Sequence, residues 1–311
     1  MARRLSEKRY AWITRAALTS LVIIVITGAA VRLTGSGLGC SDWPRCNEEK
    51  LIDVSSTHAA IEQINRLFTG LVGLAVILAV AGSLLRTPRR RDLTWLSLSL
   101  VGGVIGQAVV GGIVVLTHLH PLAVQQHFLL SMVILAAAVV LHRRATLGDG
   151  ERWERAVSLS TMRRVWVLAA LTAVAIVTGT VVTGTGPHSG QHDGEPVQRF
   201  GFAISSVVRV HSGAVILTVA ALAALLWHLR KHADRSRMES SITGFSLIAI
   251  SQGTIGYVQY FSDIPVVLVG IHVALATTLW LSLVYLLVAT RQVVGVPSGE
   301  AGEIPADVVK L

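Results

Sequence analysis

The sequence predicts an all-α integral membrane protein of eight transmembrane helices, arranged as two pseudo-symmetric four-helix bundles with both termini cytoplasmic. Three observations carry this expectation. Of 311 residues, 52% are hydrophobic and only 14% are charged, whereas a soluble globular domain carries about 25% charged residues. The apolar residues are gathered into eight blocks, at about 12–33, 61–85, 94–116, 122–141, 165–186, 202–229, 241–261 and 265–290. Each is close to the roughly 20 residues that cross a bilayer core. The basic residues also alternate along the chain. Segments 1–11, 86–93, 142–164, 230–240 and 291–311 hold 20 Lys and Arg, while 34–60, 117–121, 187–201 and 262–264 hold 3. That asymmetry is the positive-inside pattern.

Each element follows from these observations. The blocks lack the period-two alternation of barrel strands, and lipid admits only helices or closed barrels, so the spans are helical. The net charge of +9 is topological, which argues against a nucleic-acid partner and for the lipid bilayer of the cell membrane. Arg3, Arg4, Lys8 and Arg9 precede the first block as in a signal peptide, but the block is too long and reads as a retained first helix. Four spans fall in residues 1–141. A cytoplasmic linker at 142–164 follows, then four more spans in 165–291. The tail at 292–311, with its Gly, Pro, Ser and Glu, has the composition of a disordered segment.

The two halves echo each other. Thr27-Gly28 through Thr34-Gly35-Ser36-Gly37 recurs as Thr178-Gly179 through Thr183-Gly184-Thr185-Gly186. Gln107, Gly111 and His127 recur as Gln252, Gly256 and His272, all at an offset of 145. A chance resemblance of Gly/Thr-rich helix ends does not explain a gapless offset shared by three residue types. Four spans per half give a parallel repeat.

Ionisable groups inside spans are costly and mark functional sites by default. Glu62 is the one acid within the eight blocks, and His58, Glu62, Asn65, Arg66 and Thr69 share a helical face. This face reads either as an ion pair near the outer headgroups or as the lining of a polar site. His127, His211 and His272 sit in even-numbered spans, roughly 9–15 Å below the outer surface at ~1.5 Å per residue. Two inward imidazoles at one depth in a bundle, His211 and His272, are how a b-type haem is held axially. Interhelical hydrogen bonding and a proton relay are the competing readings. In the first half the counterpart of His211 is Asn65, while Glu62 faces Val208 in the second half. One half thus reads as a saturated two-His site, and the other as a one-His site with a carboxylate. Cys40 and Cys46, six apart on the oxidising side, read as a disulfide, with a zinc site as the alternative.

Together these residues resemble the haem A synthase family. Thr34-Gly35-Ser36-Gly37-Leu38-Gly39-Cys40, with Asp42-Trp43-Pro44 and Cys46, is similar to its first outer loop. Glu62-x-x-Asn65-Arg66 is similar to its Glu-x-x-His-Arg motif, and His127, His211 and His272 match three of its four ligand histidines. The resemblance implies haem b as bound cofactor on His211 and His272, and haem O as substrate on His127. It implies Glu62 as the catalytic group in oxidising the C8 methyl of haem O to the formyl group of haem A, with water as oxygen source. Arg66 and Arg209, with Asn65, are the expected residues around the haems, the arginines pairing with propionates or snorkelling to headgroups. The expected partners are haem O synthase and the cytochrome oxidase assembly route, with room for a homo-oligomer. The departure is Asn65 where the family has histidine, and single ligation by His127 is the preferred reading over a substitute His or lost activity. Two further functions fit the spans alone: a di-haem cytochrome b that passes electrons, and a transporter built on a parallel repeat.

Overall fold

A computed structural model describes residues 5–188, 190 and 197–295. Its described residues form eight helices: α1 (Glu7–Leu33), α2 (Thr57–Leu85), α3 (Arg91–Leu116), α4 (Pro121–Ala145), α5 (Leu159–Thr185), α6 (Ile204–Leu229), α7 (Arg235–Phe261) and α8 (Val266–Ala289). Seven of them are long and apolar enough to cross a membrane; α7, with its run of Ser, Thr, Gln and Gly, falls short in apolar content. Length and composition therefore give a multi-pass membrane protein. Large side chains such as Ile64, Leu67 and Leu71 on α2, or Ile216 and Leu217 on α6, point outward, as they would toward lipid.

Several helices begin well before their apolar blocks because the preceding residues cap them. Ser6 accepts a hydrogen bond from the Arg9 N–H, Ser56 from Ala59 and Ser158 from Thr161, each satisfying a donor left over in a first turn. Pro121 opens α4, where its missing N–H costs nothing. At the opposite end of the molecule, two short strands, β1 (Arg152–Arg155) and β2 (Arg291–Val294), pair antiparallel. Both lie in segments that composition assigns to linker and tail, so the start of the tail is tied to the connection between the halves. The rest of the tail, from residue 296, lies outside the described residues.

Within the first half, α1 packs on α2 and α4, and α3 on both α2 and α4. In the second half, α5 packs along α6 and α7 along α8, but the two pairs meet sparingly. The halves join through α4, α8, α1 and α5. Trp280 Nε1 donates to the Met132 carbonyl (2.7 Å), Gln125 Nε2 to Thr180 Oγ1 (2.7 Å), and Arg32 Nη2 to the Thr183 carbonyl (3.0 Å).

Candidate functional site

The loop of residues 34–56, between α1 and α2, folds onto the first turns of α2. Ser36 is fully buried, with its hydroxyl 2.9 Å from His58 Nδ1. Gly39 lies against the His58–Ala59 backbone with no room for a Cβ. That close approach lets the next residue, Cys40, aim its backbone N–H at Glu62 Oε2, 2.8 Å away. Cys40 and Cys46 are joined in a disulfide.

The second oxygen of Glu62 belongs to Arg66. Its Nε and Nη2 donate to Oε1 at 3.0 and 2.6 Å, a forked, charge-assisted pair of the strong kind. Arg66 also donates to the carbonyls of Asp42 (3.1 and 3.2 Å) and Arg45 (3.0 Å) and lies over the Trp43 ring at 5.3 Å. All five of its N–H donors are thus engaged by Glu62 and the loop carbonyls. Trp43 in turn packs against Gly112 of α3, where a Cβ would collide with the indole. Glu62 is 5% exposed. The i,i+4 pair therefore sits buried beneath the disulfide loop.

The three histidines stand at matching distances from the starts of their helices. His127, His211 and His272 are six, seven and six residues beyond Pro121, Ile204 and Val266, the first residues of their helices. At ~1.5 Å per residue this is about 9–11 Å from each helix start. Each ring also faces a glycine on the preceding helix. A Cβ added at Gly111 would stand 3.2 Å from His127 Cε1, at Gly179 3.1 Å from His211 Cε1, and at Gly256 3.0 Å from His272 Cε1. Gln107 Nε2 donates to the His127 carbonyl (3.0 Å) and to Ser131 Oγ (2.7 Å), while Gln252 Nε2 lies 3.1 Å from His272 Nε2. Thr178 Oγ1 is 3.1 Å from His211 Nδ1.

Asn65 occupies the fourth such position. Thr27 Oγ1 donates to its Oδ1 at 2.9 Å, the counterpart of the Thr178–His211 contact. The glycine after that threonine, Gly28, would carry a Cβ with nothing within 4 Å. Arg209 is exposed and bonds to Ser205 and Ser206 of its own helix. Two residues from His211, it is turned about 200° around α6.

The residues present fit axial ligation of a haem. Imidazole nitrogen is a standard haem-iron ligand, and histidines on the helices of a bundle are where such ligands stand. Among the described residues His127 Nδ1, His272 Nδ1, Gln107 Oε1 and Gln252 Oε1 are buried without a hydrogen-bond partner, which marks these two helix pairs as polar inside. His211 lies on α6 and His272 on α8, helices of the two pairs that meet sparingly. Sequence reasoning missed the partners: Thr27 and Thr178, the carbonyls that hold Arg66, and Trp43. The Thr-Gly repeat marks the first two, but nothing in the sequence marks the carbonyls.

Comparison with known proteins bears on the same residues. A family model described as cytochrome oxidase assembly protein, COX15-CtaA, matches residues 10–189. A haem A synthase of Exiguobacterium sibiricum is 26% identical over 168 residues, 54% of this chain and 57% of that protein. One from Shouchella clausii is 31% identical over 173 residues, 54% of this chain and 58% of that protein. The chain thus spans somewhat over half the length of these relatives. The matched segment holds the outer loop, Glu62 and His127, and with it the resemblance read from those residues becomes membership: the chain belongs to the haem A synthase family, the COX15-CtaA cytochrome oxidase assembly proteins.

Proposed function

We propose that this protein is a haem A synthase of the cell membrane, with eight spans in two repeated halves, cytoplasmic termini and a site near the outer face. The substrate is haem O, whose C8 methyl is converted to a formyl group. With water as the oxygen source the change balances as loss of four protons and four electrons, the electrons passing to an external electron acceptor, so the enzyme is an oxidoreductase. Haem b, held by His211 and His272, would supply electron transfer when bound.

The chain's own residues divide the remaining work. His127 holds haem O in the first half, and Gln107, bonded to the His127 carbonyl and Ser131, fixes that stretch of α4. Glu62 orients water or stabilises positive charge near the reacting methyl. Arg66 and the Cys40 N–H hold the carboxylate in place, and the disulfide loop shields it from bulk water. Product haem A would pass to cytochrome oxidase assembly, and haem O synthase would supply the substrate.

The observation that carries this reading is the pinned carboxylate. Glu62 is buried and held by three N–H donors in the half whose histidine pair is incomplete. The test is to express the chain with a haem O synthase in cells lacking haem A and to separate the extracted haems chromatographically. Haem A should appear with the chain and be absent with His127→Ala; haem O alone in both cases contradicts the proposal. The orientation has its own test. A membrane-impermeant thiol reagent applied to intact cells should label Cys40 and Cys46 only after reduction. Labelling that requires permeabilised membranes would invert the topology.

A further inference from the structure

The four glycine-facing positions are a repeated device, and the difference at one of them is informative. In three, an imidazole fills the space over a glycine: His127 over Gly111, His211 over Gly179 and His272 over Gly256, at 3.0–3.2 Å from the added Cβ. In the fourth, Gly28 keeps the glycine, and Thr27 keeps the hydroxyl that in Thr178 meets the ring. Only the ring is gone. The Asn65 amide reaches only as far as the Nδ1 and Cδ2 positions of an imidazole and lacks the two outer ring atoms, and a Cβ added at Gly28 would meet no atom of another element within 4 Å among the described residues. With Thr27 donating to the amide oxygen, the polar group Asn65 has left to offer is its NH2, a donor.

We propose that the first half leaves an axial position of its haem, on the Asn65 side, to an exogenous ligand: a small neutral molecule no larger than an imidazole, hydrogen-bonded by the Asn65 amide. This rests on the reading of His127 as the ligand on the other side. It makes the two haems chemically distinct. The second-half haem is closed by two histidines, while the first-half haem binds added ligands and exchanges them. Asn65, Thr27 and Gly28 together form the pocket, and Asn65→His should close it.

The test uses full-length protein purified from cells that also make haem O, with imidazole and carbon monoxide as probes. The parental protein should show one low-spin haem and one high-spin haem. Added imidazole should convert the high-spin signal to low-spin, and carbon monoxide should bind the reduced form of that haem alone. Asn65→His should be low-spin at both haems without imidazole and should lose the carbon monoxide signal. Gly28→Phe, which fills the space from the facing helix, should block imidazole while Asn65 is intact. Two low-spin haems in the parental protein, unmoved by either probe, would overturn the inference and leave His127 ligation standing. A single haem per chain, lost on His211→Ala or His272→Ala and unaffected by His127→Ala, would overturn the ligand assignment itself and the inference with it.

Discussion

At Gly256 an added methyl group would stand 3.0 Å from His272 Cε1, a tight contact that the ring must relieve by shifting, and 3.6 Å from Nδ1. Gly256→Ala should therefore tilt His272 and weaken or shift the low-spin haem b signal. The helix itself gains up to about 1 kcal/mol from the exchange, so a spectral change in a protein of unaltered helicity reports the clash. An unchanged spectrum would mean that the glycine does not seat the ring. Gly244→Ala, on the same helix, meets nothing within 4 Å among the described residues and is the control. At this scale the sequence reveals the unusual residues better than their partners. Glu62 and the histidines stand out because charge and imidazole are rare in apolar blocks. Arg66 does not reveal its role, since three of its five hydrogen bonds go to backbone carbonyls of Asp42 and Arg45, which no side-chain pattern encodes.

The helices were legible as elements because each apolar block must satisfy its backbone internally. The block at 12–33 becomes α1 from Glu7, and that at 165–186 becomes α5 from Leu159. The added turns are polar, and they stay helical because Ser6 and Ser158 cap them. The strands β1 and β2 were not legible. Arg-Trp-Glu-Arg at 152–155 has no apolar alternation, and its partner lies some 140 residues further along. The end of α2 illustrates what holds the end of the molecule opposite the disulfide loop. Arg86, fully buried, donates to Glu7 (3.0 Å), Asp149 (2.9 Å) and the Pro88 carbonyl (2.6 Å), tying α1, α2 and the turn after α4. Its acidic partners are 40% and 35% exposed, so water tempers the ion pairs. Arg86→Ala should still cost about 2 kcal/mol, less than the loss of a wholly buried partner. Thermal unfolding in detergent measures it, and a variant as stable as the parent would show the network to be dispensable.

Across the whole molecule, the family match covers residues 10–189, which takes in the first four helices and α5. The second half enters through its likeness to the first: the same glycine–imidazole contacts, the same threonine hydroxyl and the same glutamine. Trp280, Gln125 and Arg32 fasten the halves together across α4, α8, α1 and α5. The division of labour that follows, a closed two-histidine half beside a half with one histidine and a carboxylate, is the central claim. Glu62→Gln tests it most directly. The amide keeps the size of the side chain and an oxygen for the Cys40 N–H, but removes the charge that Arg66 grips. The haem A to haem O ratio should be measured in cells supplied with haem O, alongside the haem b spectrum and the amount of protein in the membrane. The account predicts that the variant keeps its haem b and its expression while haem A formation stops. Haem A made at the parental rate by Glu62→Gln would contradict it.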